Sequence, residues 1–214
     1  MADIFQEVDE ELRQDRANKL WKQYGAYVIA LAVAIVVAIG GYRFWQDYTR
    51  KQAEERSAGY EVAIQMAAAN NTTAAIEALA KLAEDGGAGY GTLARLRQAA
   101  IAAEQGDAEG AVLMYDKVTG DDSAPGLYRD LARLLAVMHA MDSTDQATLV
   151  SKLEPLLVAG NAWRPLAAEV TAVLAIKSGD LAAARKTLGA LADDATAPAR
   201  LRARATETLK AIGG

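Results

Sequence analysis

The chain has no cysteine and only one histidine among its 214 residues. Without cysteine there is no disulfide, no thiolate nucleophile and no Cys-ligated zinc, and the absence suits an oxidising compartment without requiring one. The single histidine, His139, lies in the apolar segment LLAVMHAMD without a matching acidic motif, which favours a structural role over a catalytic one. We therefore expect no enzyme, with no catalytic residue, no bound metal and no cofactor.

Proline and aromatic residues are also scarce. The chain contains 4 prolines and 6% aromatic residues, against 52% hydrophobic residues. Much of the hydrophobic content is alanine, the best helix former, whose small side chain lets neighbouring helix axes approach. No stretch alternates apolar and polar residues as a strand would. These features predict an all-α fold.

An excess of basic charge is missing as well. The formal net charge is −5, and the residues after Lys22 carry 22 acids and 19 bases. Because phosphate contacts drive nucleic-acid affinity, we expect no nucleic-acid partner. The glycine-rich segment GGAGYG at 86–91 follows no strand and precedes no Lys-Ser/Thr pair, so it is interpreted as a linker and not as a phosphate loop.

What the chain does have is one long uncharged run, residues 24–42. As a helix, a run of this length measures about 28 Å, close to the hydrocarbon thickness of a bilayer. Aromatic residues, which favour the headgroup region, lie at both ends of the run: Trp21 and Tyr24 at one, Tyr42 and Trp45 at the other. The sequence therefore predicts a single transmembrane helix.

A buried core helix and a cleaved signal peptide are the alternatives to a membrane span. A core helix rarely continues this far without a polar residue. A signal peptide usually has a short basic start, whereas 23 residues, many of them acidic, precede this run; Ala38 and Gly40 would flank the nominal cleavage site. A retained span is favoured. Four basic residues lie near each end of the run, so charge leaves its orientation open.

Three alanines spaced four apart within the run, Ala30, Ala34 and Ala38, form a small-residue face of the kind that pairs two membrane helices. In so alanine-rich a chain, coincidence accounts for this spacing more readily than helix pairing does.

The rest of the chain consists of helical segments separated by Gly, Asn, Asp, Ser or Pro, and the segments repeat in pairs. Each copy has a turn residue, a small residue five positions later, a bulky residue four beyond that and an apolar residue after three more. The four copies are Asn70/Ala75/Leu79/Leu82, Gly106/Ala111/Tyr115/Val118, Thr144/Leu149/Leu153/Leu156 and Gly179/Ala184/Leu188/Leu191. The small-residue positions are 36, 38 and 35 residues apart, a period that resembles the tetratricopeptide repeat of about 34 residues.

The repeat pattern has physical consequences at the turns and in the third copy. Gly or Asn at the turn tolerates the positive φ that reverses the chain. The third copy departs from the pattern, with Leu149 at the small position and Pro155 in its second helix, where proline should kink the helix or end it early.

These observations together predict the organisation of the chain. We expect a single transmembrane helix followed by a tetratricopeptide-like α-solenoid of about four helix pairs and a C-terminal capping helix. The pairs are expected at 57–84, 90–119, 125–158 and 163–192, and the cap at 198–212. The predicted domains are an N-terminal segment 1–20, a transmembrane helix 21–45, a helical linker 46–59 and a repeat domain 60–214.

The first helices of such pairs usually line a concave face. Placed on that frame, the residues expected to form a protein-binding groove are Leu96, Ala100, Leu134, Met138, Met141, Val173 and Ile176. The alternative is that the groove is narrow and these residues are core.

Trp163 lies in the segment GNAWRPLA and is expected to wedge against the third pair. The alternative is that Trp163 is exposed and anchors a partner.

Several segments resemble one known family. The opening MADIFQEVDEELRQD, the LWKQYG and GYRFW ends of the span, AGYGTLARLRQAA and GNAWRPLA look like the inner-membrane proteins of the YfgM type, the ancillary subunit of the SecYEG translocon. The resemblance implies a single-pass protein of the bacterial inner membrane with a cytoplasmic N-terminus and a periplasmic repeat domain. It also implies Sec translocon components, periplasmic chaperones or exported chains as partners.

The favoured hypothesis is a non-enzymatic, membrane-anchored adaptor that binds proteins during export. The alternative is a self-assembling structural or scaffold protein of the inner membrane, a homo-oligomer with no role in export, which Ala30, Ala34 and Ala38 motivate.

Overall fold

The structure, a computed structural model, describes the backbone of residues 3–213 and the side chains of 21–24, 27, 29–31 and 33–213. Over these residues it is helical and contains no strand, so the all-α prediction is confirmed. The helices are α1 (Asp3–Ala68), α2 (Thr72–Asp85), α3 (Thr92–Glu104), α4 (Ala108–Thr119), α5 (Gly126–Ala140), α6 (Gln146–Leu153), α7 (Arg164–Lys177), α8 (Leu181–Asp193) and α9 (Ala199–Ala211). A π-helical turn, Gly87–Gly91, leads into α3, and a 3-10 turn, Glu154–Leu156, follows α6.

The chain forms two compact units, Met1–Glu55 and Arg56–Gly214. The first unit is a single length of α1. From Trp21 to Lys51 every side chain that the structure describes is exposed. Within the described residues α1 is the one helix long and apolar enough to cross a membrane, and its most apolar stretch contains no buried residue. The predicted segment 1–20 belongs to α1 from Asp3 onward, and its side chains lie outside the described residues.

The second unit has its core in four hydrophobic clusters, and each cluster is built in the same way. A cluster takes buried residues from both helices of one pair and from the first helix of the next pair. The second cluster, for example, joins Leu96 of α3, Tyr115 of α4 and Ala132 of α5. The fourth joins Ala172 of α7, Leu188 of α8 and Leu201 of α9. Each pair therefore completes its core only with help from its neighbour, as expected for helix pairs that cannot bury their apolar faces alone.

The repeat frame expected from the sequence corresponds closely to these pairs. All twelve positions that follow the turn residue in the four copies are buried, from the fully buried Ala75, Ala111 and Ala184 to Leu82 at 9% exposure. The observed pairs are the end of α1 with α2, α3 with α4, α5 with α6, and α7 with α8, with α9 after them. The helix pairs therefore lie where the repeat frame places them, and the third copy keeps its place because Leu149 is buried where the other copies have alanine.

The turns within the pairs adopt the conformation that glycine and asparagine tolerate. Gly106 has φ +88°, Gly179 has φ +83° and Asn70 has φ +61°. The next helix then begins with an aspartate cap in two of these cases: the carboxylates of Asp107 and Asp180 accept hydrogen bonds from backbone N–H groups three residues later, at 2.8 Å and 2.9 Å. Such caps satisfy N–H groups that the first helical turn leaves free.

The third pair is shorter than the others, and proline is the reason. α6 ends at Leu153, and Pro155 lies in the 3-10 turn that follows. Proline has no N–H to continue the helical ladder, and its ring clashes with the carbonyl of the preceding turn. The prediction that Pro155 ends this helix early is confirmed.

Candidate protein-binding surface

The seven residues expected to line a groove differ in their accessibility. Leu96 is 8% exposed and Leu134 is 2% exposed, and both belong to the hydrophobic core. Met138, at 47%, and Val173, at 37%, are the exposed members of the set. Ala100, Met141 and Ile176 are half-buried. The two leucines are therefore covered in the folded chain, and among the seven residues only Met138 and Val173 present apolar surface that is classed as exposed.

Packing against the core makes Met141 half-buried, and polar contacts hold the chain in place around it. Its side chain packs against the cluster around Leu134 and Leu153. Its backbone carbonyl accepts a hydrogen bond from the Lys177 ammonium at 3.1 Å, and the same ammonium pairs with Asp142 at 2.5 Å. The C-terminal ends of α5 and α7 are thus tied together.

A concavity lies between the N-terminal halves of α7 and α9. Its volume is about 340 Å³. Its apolar lining comes from the indole of Trp163, from Leu166 and Leu201, and from two prolines, Pro165 and Pro198. Arg200 and Arg204 are its charged lining residues, and no acidic residue lines it. We call this concavity the α7/α9 cavity.

Trp163 joins this cavity to the core of the third pair. Its side chain packs against the cluster that contains Leu149 and Leu153, and its indole N–H donates to the backbone carbonyl of Leu127 in α5 at 2.9 Å. Asn161 accepts a hydrogen bond from the backbone N–H of Trp163 at 2.8 Å and so fixes the turn before α7. The prediction that Trp163 wedges against the third pair is confirmed, and the indole in addition forms a wall of the cavity.

The two arginines of the cavity have different surroundings. Arg204 forms two hydrogen bonds with the carboxylate of Glu169, at 2.8 Å and 2.6 Å, and these contacts raise the pKa of the Arg204 guanidinium. Arg200 is exposed and makes no side-chain hydrogen bond or ion pair with any residue that the structure describes. One guanidinium is therefore satisfied by the protein and the other is available.

A motif that the sequence analysis missed precedes α5 and α9. The segments 121–125 (DDSAP) and 194–198 (DATAP) follow one pattern, an aspartate with Ser or Thr two residues later and then Ala-Pro. The carboxylate of Asp194 accepts hydrogen bonds from the Thr196 N–H at 2.9 Å and hydroxyl at 2.6 Å, and Asp121 makes the same two contacts with Ser123. In the sequence this motif is recognisable as two five-residue segments of the same pattern that begin 73 positions apart.

Outside the cavity, the side chains most often used in catalysis or metal binding have structural contacts. His139 is exposed and stacks on Tyr115, with ring centroids 5.8 Å apart and planes 8° from parallel. Burial raises the pKa of the Tyr115 hydroxyl. Within the residues described, no group of three or more potential metal-binding side chains is present.

The predicted membrane residues lie on the first unit. Trp21, Tyr24, Tyr42 and Trp45 are 51% to 64% exposed. Ala30, Ala34 and Ala38 are also exposed, and their spacing places them on one face of α1.

The described part of the chain is helical, and its core is assembled from successive helix pairs. The turn and small-residue positions recur about every 36 residues. These features define the class of helical repeat proteins. The comparison with protein families agrees with this class. A model of the tetratricopeptide repeat-like domain matches residues 18–187, and the chain belongs to this family. The match begins within α1, ahead of the uncharged run 24–42, and ends within α8. No curated protein and no solved structure matches the chain.

Proposed function

We propose that the chain is a non-enzymatic adaptor that is anchored in a membrane by residues 21–45 and binds other proteins through its helix pairs. The observation that carries the proposal is the combination of an uncovered apolar helix with a repeat unit of a protein-interaction family. The shared core clusters support a solenoid arrangement of the pairs, in which a continuous surface is available to partners.

Energetics support the membrane part of the proposal. Seven Val, Leu and Ile side chains between Ile29 and Ile39 are 51% to 68% exposed. Burying one such side chain fully is worth roughly 1.5–3 kcal/mol, so leaving seven of them half-exposed to water forfeits on the order of 5–10 kcal/mol. That loss is comparable with the whole stability of a domain, about 5–15 kcal/mol. A bilayer removes this loss because the side chains then contact lipid and not water. The aromatic pairs at the two ends of the run fit the two headgroup regions.

The location and partners proposed for the chain come from its resemblance to the YfgM-type family. The N-terminus is cytoplasmic, the repeat unit is periplasmic, and the partners are Sec translocon components, periplasmic chaperones or exported chains. A membrane anchor suits such partners because it raises the local concentration of the repeat unit near other proteins of the same membrane, so individually weak contacts suffice.

Site-specific photocross-linking in native membranes tests the adaptor function. A photoreactive residue at Met138, exposed on α5, is compared with one at Leu113, 65% exposed on α4, the second helix of its pair. We expect protein adducts at Met138 that are absent or different at Leu113. Absence of translocon and chaperone peptides among the adducts removes the role in export, and absence of any protein adduct contradicts the adaptor function itself.

The second candidate function is self-assembly. The observation that favours it is the exposure of Ala30, Ala34 and Ala38 on one face of α1. Measuring the mass of the chain in detergent, with and without Ala34→Leu, separates the two functions. A dimer that Ala34→Leu dissociates supports self-assembly, and a monomer in both cases rejects it.

A further inference from the structure

We propose that the α7/α9 cavity binds a peptide segment of a partner in which a bulky apolar side chain lies next to a carboxylate. This inference rests on the proposed protein-binding function and specifies the partner chemistry for one site outside the seven residues expected to form a groove.

The lining of the cavity selects the apolar part of the ligand. Trp163, Leu166 and Leu201 present apolar surface, and two prolines complete the wall. A volume of about 340 Å³ is at the lower end of the range for ligand sites, roughly 300–1,000 Å³. The space therefore suits one large side chain of an extended segment. Pre-formed walls favour binding because the tryptophan is already held by its hydrogen bond to Leu127 and by its contacts with the third pair.

The charge at the cavity selects the polar part of the ligand. Arg200 has no partner among the described residues, whereas Arg204 is already bound by both oxygens of Glu169. No acidic residue lines the cavity, although the chain as a whole carries a net charge of −5. A guanidinium is suited to bidentate recognition of a carboxylate, and beside an apolar wall such a contact is partly shielded from water. A partner with Asp or Glu beside its apolar side chain complements both features.

Peptide binding to the full chain in non-ionic detergent tests the inference. The substitutions Trp21→Phe and Trp45→Phe leave Trp163 as the only tryptophan, so its emission reports on the cavity. The probes are three blocked hexapeptides that differ at two central positions, Phe-Glu, Phe-Gln and Ala-Glu. Each carries a fluorescent label for parallel anisotropy measurements. We expect saturable binding of the Phe-Glu peptide, with affinity at least tenfold lower for the Phe-Gln and Ala-Glu peptides.

Two variants and a matched control connect the binding to the cavity. Arg200→Ala is expected to remove the preference for Phe-Glu over Phe-Gln. Ala162→Phe fills the cavity from its exposed rim without adding a tryptophan and is expected to abolish binding. Lys186→Ala removes an exposed cation from α8 and is expected to leave binding unchanged. No binding of Phe-Glu at millimolar concentration, an unchanged preference in Arg200→Ala, or an emission change that follows protein concentration without peptide overturns the inference. The last result would identify a second copy of the chain as the occupant.

Failure of this inference can be distinguished from failure of the proposed function. If the Arg200→Ala chain keeps the Met138 adducts in native membranes and no peptide binds to the cavity, the cavity inference alone is overturned. If the unaltered chain forms no protein adduct in membranes, the adaptor function is overturned whatever the cavity binds.

Discussion

At the scale of single residues, the aspartates before α5 and α9 illustrate how a short local motif positions the helix pairs. Asp194 accepts two hydrogen bonds from Thr196 and lies 3.4 Å from the Arg164 guanidinium at the start of α7. Asp121 likewise binds Ser123 and lies 2.7 Å from Arg95 in α3. In each case the carboxylate connects a turn to the first helix of the preceding pair. Hydrogen bonds from Ser123 and Thr196 are the main cause that lowers the pKa of Asp121 and Asp194 from the ordinary value of 3.8.

These lowered pKa values predict acid sensitivity with a defined sign. A carboxyl group whose pKa is lower in the folded than in the unfolded chain stabilises the fold above its unfolded pKa, and this contribution is lost as the pH falls through the folded pKa. We expect the melting temperature to fall between about pH 5 and pH 2, and the fall to be smaller in Asp194→Asn. Circular dichroism at 222 nm in non-ionic detergent measures it. Asp193→Asn, which changes an exposed neighbour, is the control, and an undiminished fall in Asp194→Asn would contradict the assignment.

The turn glycines give a second prediction at this scale. Gly179 has φ +83°, a conformation that costs an L-residue about 1–2 kcal/mol. Gly189 lies within α8, and a Cβ added there would meet no atom within 4 Å. Gly179→Ala should therefore destabilise the chain by about 1 kcal/mol or more, whereas Gly189→Ala should stabilise it by roughly 0.5–1 kcal/mol. Urea unfolding of both variants measures the difference, and equal effects of one sign would contradict the turn geometry.

At the scale of helices, the sequence predicted the number, order and approximate bounds of the pairs. It did so because turn residues and buried positions recur together: Asp107 and Asp180 mark helix starts, and Pro155 marks an early end. The exposure of individual groove residues could not be predicted in the same way. Leu134 and Met138 are both apolar residues on one side of α5, four positions apart. Only the way that neighbouring helices cover α5 along its length decides that the first is buried and the second exposed. The α7/α9 cavity depends likewise on the spacing of two helices that lie 35 residues apart along the chain, as the contact of Glu169 with Arg204 reflects.

The π-helical turn before α3 was also absent from the prediction, which had only a linker at 86–91. The close approach of Gly86 to Gly91 makes this turn possible. A Cβ on Gly86 would lie 2.5 Å from the Gly91 nitrogen and closer still to the Leu82 carbonyl, so the backbone passes too near for any side chain. At Gly89, by contrast, a Cβ would meet nothing within 4 Å. The glycines of this segment therefore have different roles that spacing alone does not distinguish.

This difference predicts the outcome of a pair of substitutions. Gly86→Ala should destabilise the repeat unit by about 2 kcal/mol or more, because backbone atoms and not a flexible side chain would have to move. Gly89→Ala should change the free energy of unfolding by less than about 0.5 kcal/mol. Thermal unfolding followed by circular dichroism measures both. A tolerated Gly86→Ala would contradict the close approach of Gly86 to Gly91.

At the scale of the whole molecule, the chain combines two units with opposite relations to water. The unit Arg56–Gly214 has a buried core of four apolar clusters, whereas the described side chains between Trp21 and Lys51 are all exposed. A soluble protein with such an uncovered helix would associate or precipitate. The function we propose follows from this contrast: the apolar helix is held in lipid, and the repeat unit is kept close to other membrane proteins.

Protease protection in cells with a permeabilised outer membrane and an intact inner membrane is the decisive test of membrane anchoring and of the side on which the repeat unit lies. We expect the full-length chain to resist extraction from membranes at alkaline pH. Protease added from outside should degrade residues 60–214, while a fragment containing residues 24–42 stays in the membrane fraction. A freely soluble chain cut near Gly40 would contradict anchoring, and a repeat unit that stays protected until the inner membrane is broken would contradict its proposed periplasmic side.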